Sequence, residues 1–139
     1  MGTSLQKSRL GVGENDEPYS LVWLDGSVNS SAENRNVQEQ LRRLFDHFHT
    51  YESTSDCLQY IRNHAKQYQI ILIVSGRLGR EIVPRIHRYS HVICIYVYCM
   101  DKEKNERWAR NYSKVIMRMK WKIFSHPYLM LLVDQRSDR

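Results

Sequence analysis

Short apolar runs and amphipathic stretches alternate along this chain. Residues 20–25, SLVWLD, predict a short buried strand. In NRNVQEQLRRLF, Val37, Leu41, Leu44 and Phe45 recur at helical spacing and predict one apolar helix face. HFHTYE reads as a weaker strand with Phe48 and Thr50 inward. STSDCLQYIRNHA opens with Ser53 and Asp56 at capping-box spacing, then sets Leu58, Ile61 and Ala65 on one face. Residues 69–75 are nearly all apolar, the pattern of a strand buried on both faces in a parallel sheet. LGREIVPRIHRY carries Leu78, Ile82, Val83 and Ile86 at helical spacing, and its Pro84 fits only if the helix starts just before it or bends there. HVICIYVYCM is a fourth strand, rich in β-branched and aromatic residues. DKEKNERWARNYSK is a fourth helix with Asp101 as N-cap and Trp108, Ala109 and Tyr112 inward.

Strand–helix units repeating at this length predict a parallel sheet with helices on both faces. Right-handed crossovers then leave few topologies. The expected architecture is a three-layer α/β/α, flavodoxin-like five-stranded parallel sheet in the order 2-1-3-4-5. The C-terminal stretch departs from this scheme, and the final helix is expected to be missing or irregular. In VIMRMKWKIF, Val115, Met117, Met119, Trp121 and Ile123 face one way and Arg118, Lys120 and Lys122 the other, which predicts a long half-exposed strand. Basic residues on an edge strand keep it from pairing with other chains; with Trp121 beside them they also suit stacking and phosphate contact. The chain thus divides into a disordered polar lead over residues 1–18, an α/β domain over 19–120 and an atypical tail over 121–139.

A length of 139 residues suits one domain, and a hydrophobic share of 42% supports a real core. No apolar run is long enough to span a bilayer, and the first residues contain no apolar block of a secretory signal. The three cysteines, Cys57, Cys94 and Cys99, form no Cys-x-x-Cys pair and read as small reduced packing residues of a cytoplasmic protein. The net charge of +6 is unevenly placed. Residues 1–56 carry 5 basic and 9 acidic side chains, whereas residues 57–139 carry 16 basic and 6 acidic ones. A basic half of this kind fits either nucleic-acid binding or a solvated basic surface.

Ligands of open parallel sheets sit at the carboxyl ends of the strands. The most informative run is IILIVSGRLGREIVPRIH, a strand that empties through a glycine turn into a helix. Together with the end of the first strand and the last basic stretch it nominates Asp25, Ser75, Gly76, Arg77, Gly79, Arg80 and Lys120 as ligand-binding residues for a small anion or nucleotide. GRLGRE lacks the third glycine of the dinucleotide fingerprint and the Gly-Lys-Ser/Thr end of a P-loop. Backbone amides at a helix start nevertheless attract an anion; a plain turn followed by a surface arginine pair accounts for the same residues. His47 and His49 supply only two metal ligands, and Ser75 does not sit in a Gly-x-Ser-x-Gly elbow. No catalytic residue, metal site or cofactor is expected.

The strand order and Asp25 after the first strand resemble the receiver domain of response regulators over residues 19–120. That family pairs two acids at the first strand, and Leu24 precedes Asp25 here. Its third strand ends in a phosphate-accepting aspartate, where this chain has Ser75. Its fourth ends in Ser or Thr, where Cys99 and Met100 stand, and Lys120 matches its conserved lysine only loosely. The resemblance therefore implies a degenerate, phosphorylation-independent receiver-like domain that regulates through a protein partner. VWLDGSVN…NRNVQ, LIVSGRLGREIVPRIH and IYVYC…DKEKNERWA also resemble an N-terminal domain of invertebrate multidomain proteins that precedes arginine-specific ADP-ribosyltransferase modules or tetratricopeptide repeats. This second resemblance implies an accessory role. Glu81 on the helix after the central strand is similar to the glutamate of NAD-cleaving TIR domains, which implies nucleotide handling as an alternative.

Overall fold

A computed structural model of the chain describes residues 18–125. The polar lead and most of the tail named above lie outside the described residues. Five strands, β1 (Tyr19–Leu24), β2 (Phe48–Tyr51), β3 (Gln69–Ser75), β4 (Val92–Tyr98) and β5 (Val115–Met117), form one sheet in the order β2-β1-β3-β4-β5. Every pairing is parallel. The helices are α1 (Ala32–Leu44), α2 (Thr54–Asn63), α3 (Gly76–Ile86), α4 (Lys102–Ala109) and the single turn α5 (Lys120–Ile123). This is the expected flavodoxin-like sheet.

Two cores explain the two sequence patterns. On one face, Val22, Leu24, Leu72 and Val74 of the sheet pack against Leu58 and Ile61 of α2 and Ile82 and Ile86 of α3. On the other, Leu21, Trp23, Ile71 and Ile73 meet Leu41 of α1 and Ile123 of α5. Successive strand residues point to opposite faces, so β1 and β3 are apolar at nearly every position and serve both layers. The buried hydroxyl of Ser20 is satisfied across layers by Tyr60 at 2.8 Å.

The helix starts follow the capping chemistry. Ser31, Ser53, Ser75 and Asp101 each accept a backbone amide of the first turn, from Asn34, Asp56, Leu78 and Lys104 respectively. Pro84 lies in the last turn of α3, which starts well before it and runs on to Ile86. The proline ring offers no donor to the Arg80 carbonyl, and His87 resumes the pattern with a bond to Val83 at 3.0 Å. Ala65 falls beyond the end of α2 and is exposed; Cys57 and Tyr60 occupy the inward face instead.

The predicted long fifth strand is not formed. Its ladder with β4 covers Val115 to Met117, after which Arg118 donates to Val97 and the chain leaves the sheet. The cause is the partner: β4 ends at Tyr98, so no backbone remains to pair residues 119–123. Those residues wind into α5, which buries Ile123 and Phe124 and leaves Trp121 exposed. Arg118, Lys120 and Lys122 therefore share no strand face, and the domain core extends past residue 120.

At the β2 edge, His47, His49 and His64 interleave with Tyr60 and Tyr68, the rings of His49 and Tyr60 lying 4.7 Å apart. Partial burial, and then the charges of His47, His64 and Arg42, hold His49 below its ordinary value of 6.5. The unfolded chain then takes up this proton first as the pH falls, so the contribution of His49 to stability is complete above 6.5 and is lost below it. Urea midpoints are expected to drop between about pH 7 and about pH 5, with a smaller drop in His49→Gln. An equal drop in both proteins would remove His49 from the account.

Candidate functional site

A crevice of about 750 Å³ opens at the carboxyl ends of β3, β4 and β5. Ser75, Gly76 and Arg77 form one side, at the start of α3. Asp101 of the β4–α4 turn, Asn105 of α4, and Lys120 and Trp121 of α5 form another. Glu33 and Asn34, in the first turn of α1, close the third. Tyr98 and Phe124 also line it, with Met100 and Met119 among the apolar lining.

The structure divides the residues that the sequence nominated. Ser75, Gly76, Arg77 and Lys120 line the crevice. The Ser75 hydroxyl accepts the Leu78 amide at 3.4 Å, so it serves the turn. Gly79 is buried beneath, where an added Cβ would lie 3.2 Å from Val74 and 3.3 Å from Trp108. Arg80 is exposed outside the crevice lining. Lys120 places its ammonium 5.5 Å from the centre of the Tyr98 ring, a cation–π contact.

Asp25 is turned inward and does not line the crevice. It is 8% exposed, and its carboxyl group accepts from the Tyr98 hydroxyl, from the Ser27 amide at 2.9 Å and from the Ser27 hydroxyl at 3.1 Å. The Trp23 indole N–H in turn donates to the Tyr98 oxygen at 2.9 Å. Burial, followed by the bond to Asp25, raises the pKa of Tyr98 far above its ordinary value, so the phenol remains a donor. The β1–β3 switch point, the expected ligand position, is thus closed by side chains. Arg77 reaches across it: its Nη2 lies 3.4 Å from where a Cβ on Gly26 would stand.

Three side chains that sequence reasoning missed complete the geometry. Tyr98 reads as core, yet it links Asp25, Trp23 and the crevice wall. Asn34 is 2% exposed; its Nδ2 donates to the Ser27 carbonyl at 2.9 Å, while its Oδ1 has no hydrogen-bond partner among the described residues. Asn105 donates to the Asp101 carbonyl and accepts from the Trp108 indole, fixing the α4 wall. Glu81 accepts from Thr54 at 2.9 Å on the α2 side of α3 and is not part of the crevice.

Among the described residues, no group of three or more metal-ligating side chains forms. The three cysteines are free, and burial pushes the Cys57 thiol up to about 12, which makes it a packing residue and not a nucleophile. No helix in the described residues is long and apolar enough to cross a membrane. Comparison with family models, curated proteins and solved structures returns no match.

Proposed function

We propose that the chain is a non-catalytic, receiver-like regulatory module that acts by binding at its surface and is not driven by phosphorylation. The observation that carries this reading is the state of the two positions a receiver would use. Asp25 spends its carboxyl oxygens on Tyr98 and Ser27, and Ser75 stands in the acceptor position with its hydroxyl spent on the Leu78 amide. Asp25 is thus buried and engaged within the fold, and the acceptor position holds a helix-capping hydroxyl in place of a carboxylate. Binding is supported by the crevice, whose mouth carries the large apolar side chains that elsewhere would be buried. The resemblance to accessory N-terminal domains points the same way, toward a protein partner.

The full chain incubated with acetyl phosphate and Mg²⁺ is expected to stay unmodified in intact-mass measurements. A hydroxylamine-sensitive adduct with the mass of one phosphoryl group would refute the reading. NAD⁺ is likewise expected to remain intact with an oligomerised sample, because Glu81 lies outside the crevice. Consumption of NAD⁺ that disappears in Glu81→Ala would establish the enzymatic alternative instead.

A further inference from the structure

We propose that the crevice and the adjoining face of α5 dock an acidic, amphipathic segment of a partner protein. This rests on the reading of the chain as a binding module and names the chemistry of what it binds. Two independent features meet at this place.

The first is apolar. Among the described residues, the large hydrophobic side chains that stand exposed are Met100, Met119 and Trp121, at 102%, 60% and 66%, and all three line the crevice. They come from two separate stretches, the β4–α4 turn and the chain entering α5, so the fold gathers them. Tyr98 and Phe124 line the same crevice and belong to the buried core beneath. Apolar groups gathered in the open mark an interaction site, whereas scattered ones do not. Two of the three are methionines, whose unbranched side chains adapt to partner side chains of different shapes.

The second is charge. Arg77 and Lys120 line the crevice, and Lys102, Arg118 and Lys122 line a groove that shares Cys99, Met119 and Trp121 with it. Of these five cations only Lys102 has an ion pair among the described residues, with Glu106 at 3.8 Å. Arg118 donates to the Met117 carbonyl beside it, and Lys120 lies over the Tyr98 ring. The acids of the lining are Glu33 and Asp101, and the Asp101 carboxylate already caps α4 through the Lys104 amide at 2.9 Å. The patch is therefore basic, with Lys120 and Lys122 on either side of Trp121 in one helical turn. A partner that matches both features sets large apolar side chains against Met100, Met119 and Trp121. It sets carboxylates against Arg118, Lys120 and Lys122. Complementary charge of this kind steers the encounter and fixes the register, while the apolar contacts hold the complex.

A single-stranded nucleic acid matches the charge and not the rest. Such strands stack successive bases on several aromatic rings, and Trp121 is the one aromatic among these exposed groups. The methionines offer a base no flat surface.

Selection from random dodecapeptides displayed on phage, panned against the full chain, tests this. Enriched peptides are expected to combine Leu, Phe or Trp with Asp and Glu. The best of them, made with a fluorophore, is expected to bind with Kd below about 100 µM by anisotropy. Raising the salt from about 50 mM to about 500 mM is expected to weaken it several-fold, because exposed charges are screened. Trp121→Ala and Lys122→Glu, both exposed in the free chain, are each expected to weaken it about tenfold. Arg80→Glu makes the same charge change outside the crevice and is expected to leave it unaltered. The proposal is overturned by no enrichment on a folded sample, by enriched peptides that lack acids, by affinity indifferent to salt, or by affinity unchanged in both patch variants. It is also overturned if a thymidine oligonucleotide binds more tightly than the peptide and displaces it, which would assign the patch to nucleic acid. The acetyl phosphate experiment needs no peptide, so a failed selection with an unmodified chain removes this docking surface and leaves the non-catalytic reading in place.

Discussion

Asp25→Ala is expected to destabilise the chain by about 3 kcal/mol, seen as a lower urea midpoint at an unchanged slope. The loss comes from a buried relay: the Trp23 N–H donates to Tyr98, and Tyr98 donates to Asp25. Without the carboxyl group the Tyr98 hydroxyl is left buried with no acceptor, while the Ser27 groups turn to water because Ser27 is exposed. Tyr98→Phe breaks the same relay at its centre, leaving the indole N–H and one Asp25 oxygen unpaired. The double variant is therefore expected to cost less than the sum of the two, by about 1 kcal/mol or more. The sign of the single change is itself a test. An acid kept for ligand chemistry stores strain, and its removal commonly stabilises the fold. Stabilisation on Asp25→Ala would return Asp25 to the candidate site.

The same relay explains why the site was only half legible in the sequence. Asp25 after a strand, opposite a glycine turn, marks a crevice in any open parallel sheet, and nothing in SLVWLD shows that its side chain turns inward. The cause lies at the end of β4, where Tyr98 closes an apolar run and looks like one more core aromatic. Once Tyr98 claims Asp25, the open space moves from the β1–β3 switch point to the ends of β3, β4 and β5. The placement of Arg77 and Lys120 in the crevice lining was legible, because strand ends and helix starts are readable from local pattern. Asn34 was not, since a polar residue in the first turn of α1 looks like any solvated one. Its burial depends on the Ser27 carbonyl folding over it.

The fold itself followed from local signals wherever a strand had a partner. Residues 70–74 are apolar throughout because β3 has β1 and β4 as neighbours and a helix layer on each face. The failure at residues 115–123 shows the limit of the same reasoning. Alternation of apolar and basic residues fits a half-exposed strand, but a ladder also needs backbone opposite it, and β4 is used up at Tyr98. In a single helical turn Ile123 and Phe124 reach the core while Trp121 stays out, an outcome that period-two patterning cannot anticipate.

Gly76→Ala is expected to cost about 3 kcal/mol, whereas Gly79→Ala, one turn along the same helix, is expected to stay within about 1 kcal/mol of the parent. A Cβ at residue 76 would lie 2.8 Å from both the Asn105 Oδ1 and the Cys99 Cβ. Neither neighbour gives way easily. Asn105 is held through its donation to the Asp101 carbonyl at 2.8 Å and its acceptance from Trp108 at 2.9 Å, and the Cys99 Cβ is fixed to the backbone. The α3 start therefore has to move away from α4, which opens the wall of the crevice. At residue 79 the contacts of 3.2 and 3.3 Å involve side-chain atoms of Val74 and Trp108, and a shift of a few tenths relieves them. There the helix propensity of alanine over glycine, about 1 kcal/mol, offsets the crowding. Urea denaturation of the two variants separates the roles of the two glycines. Unequal losses would show that Gly76 is required by the approach of α3 to α4. Equal losses would mean that the clash at residue 76 is absorbed by small shifts, and that the crevice wall is softer than these distances imply.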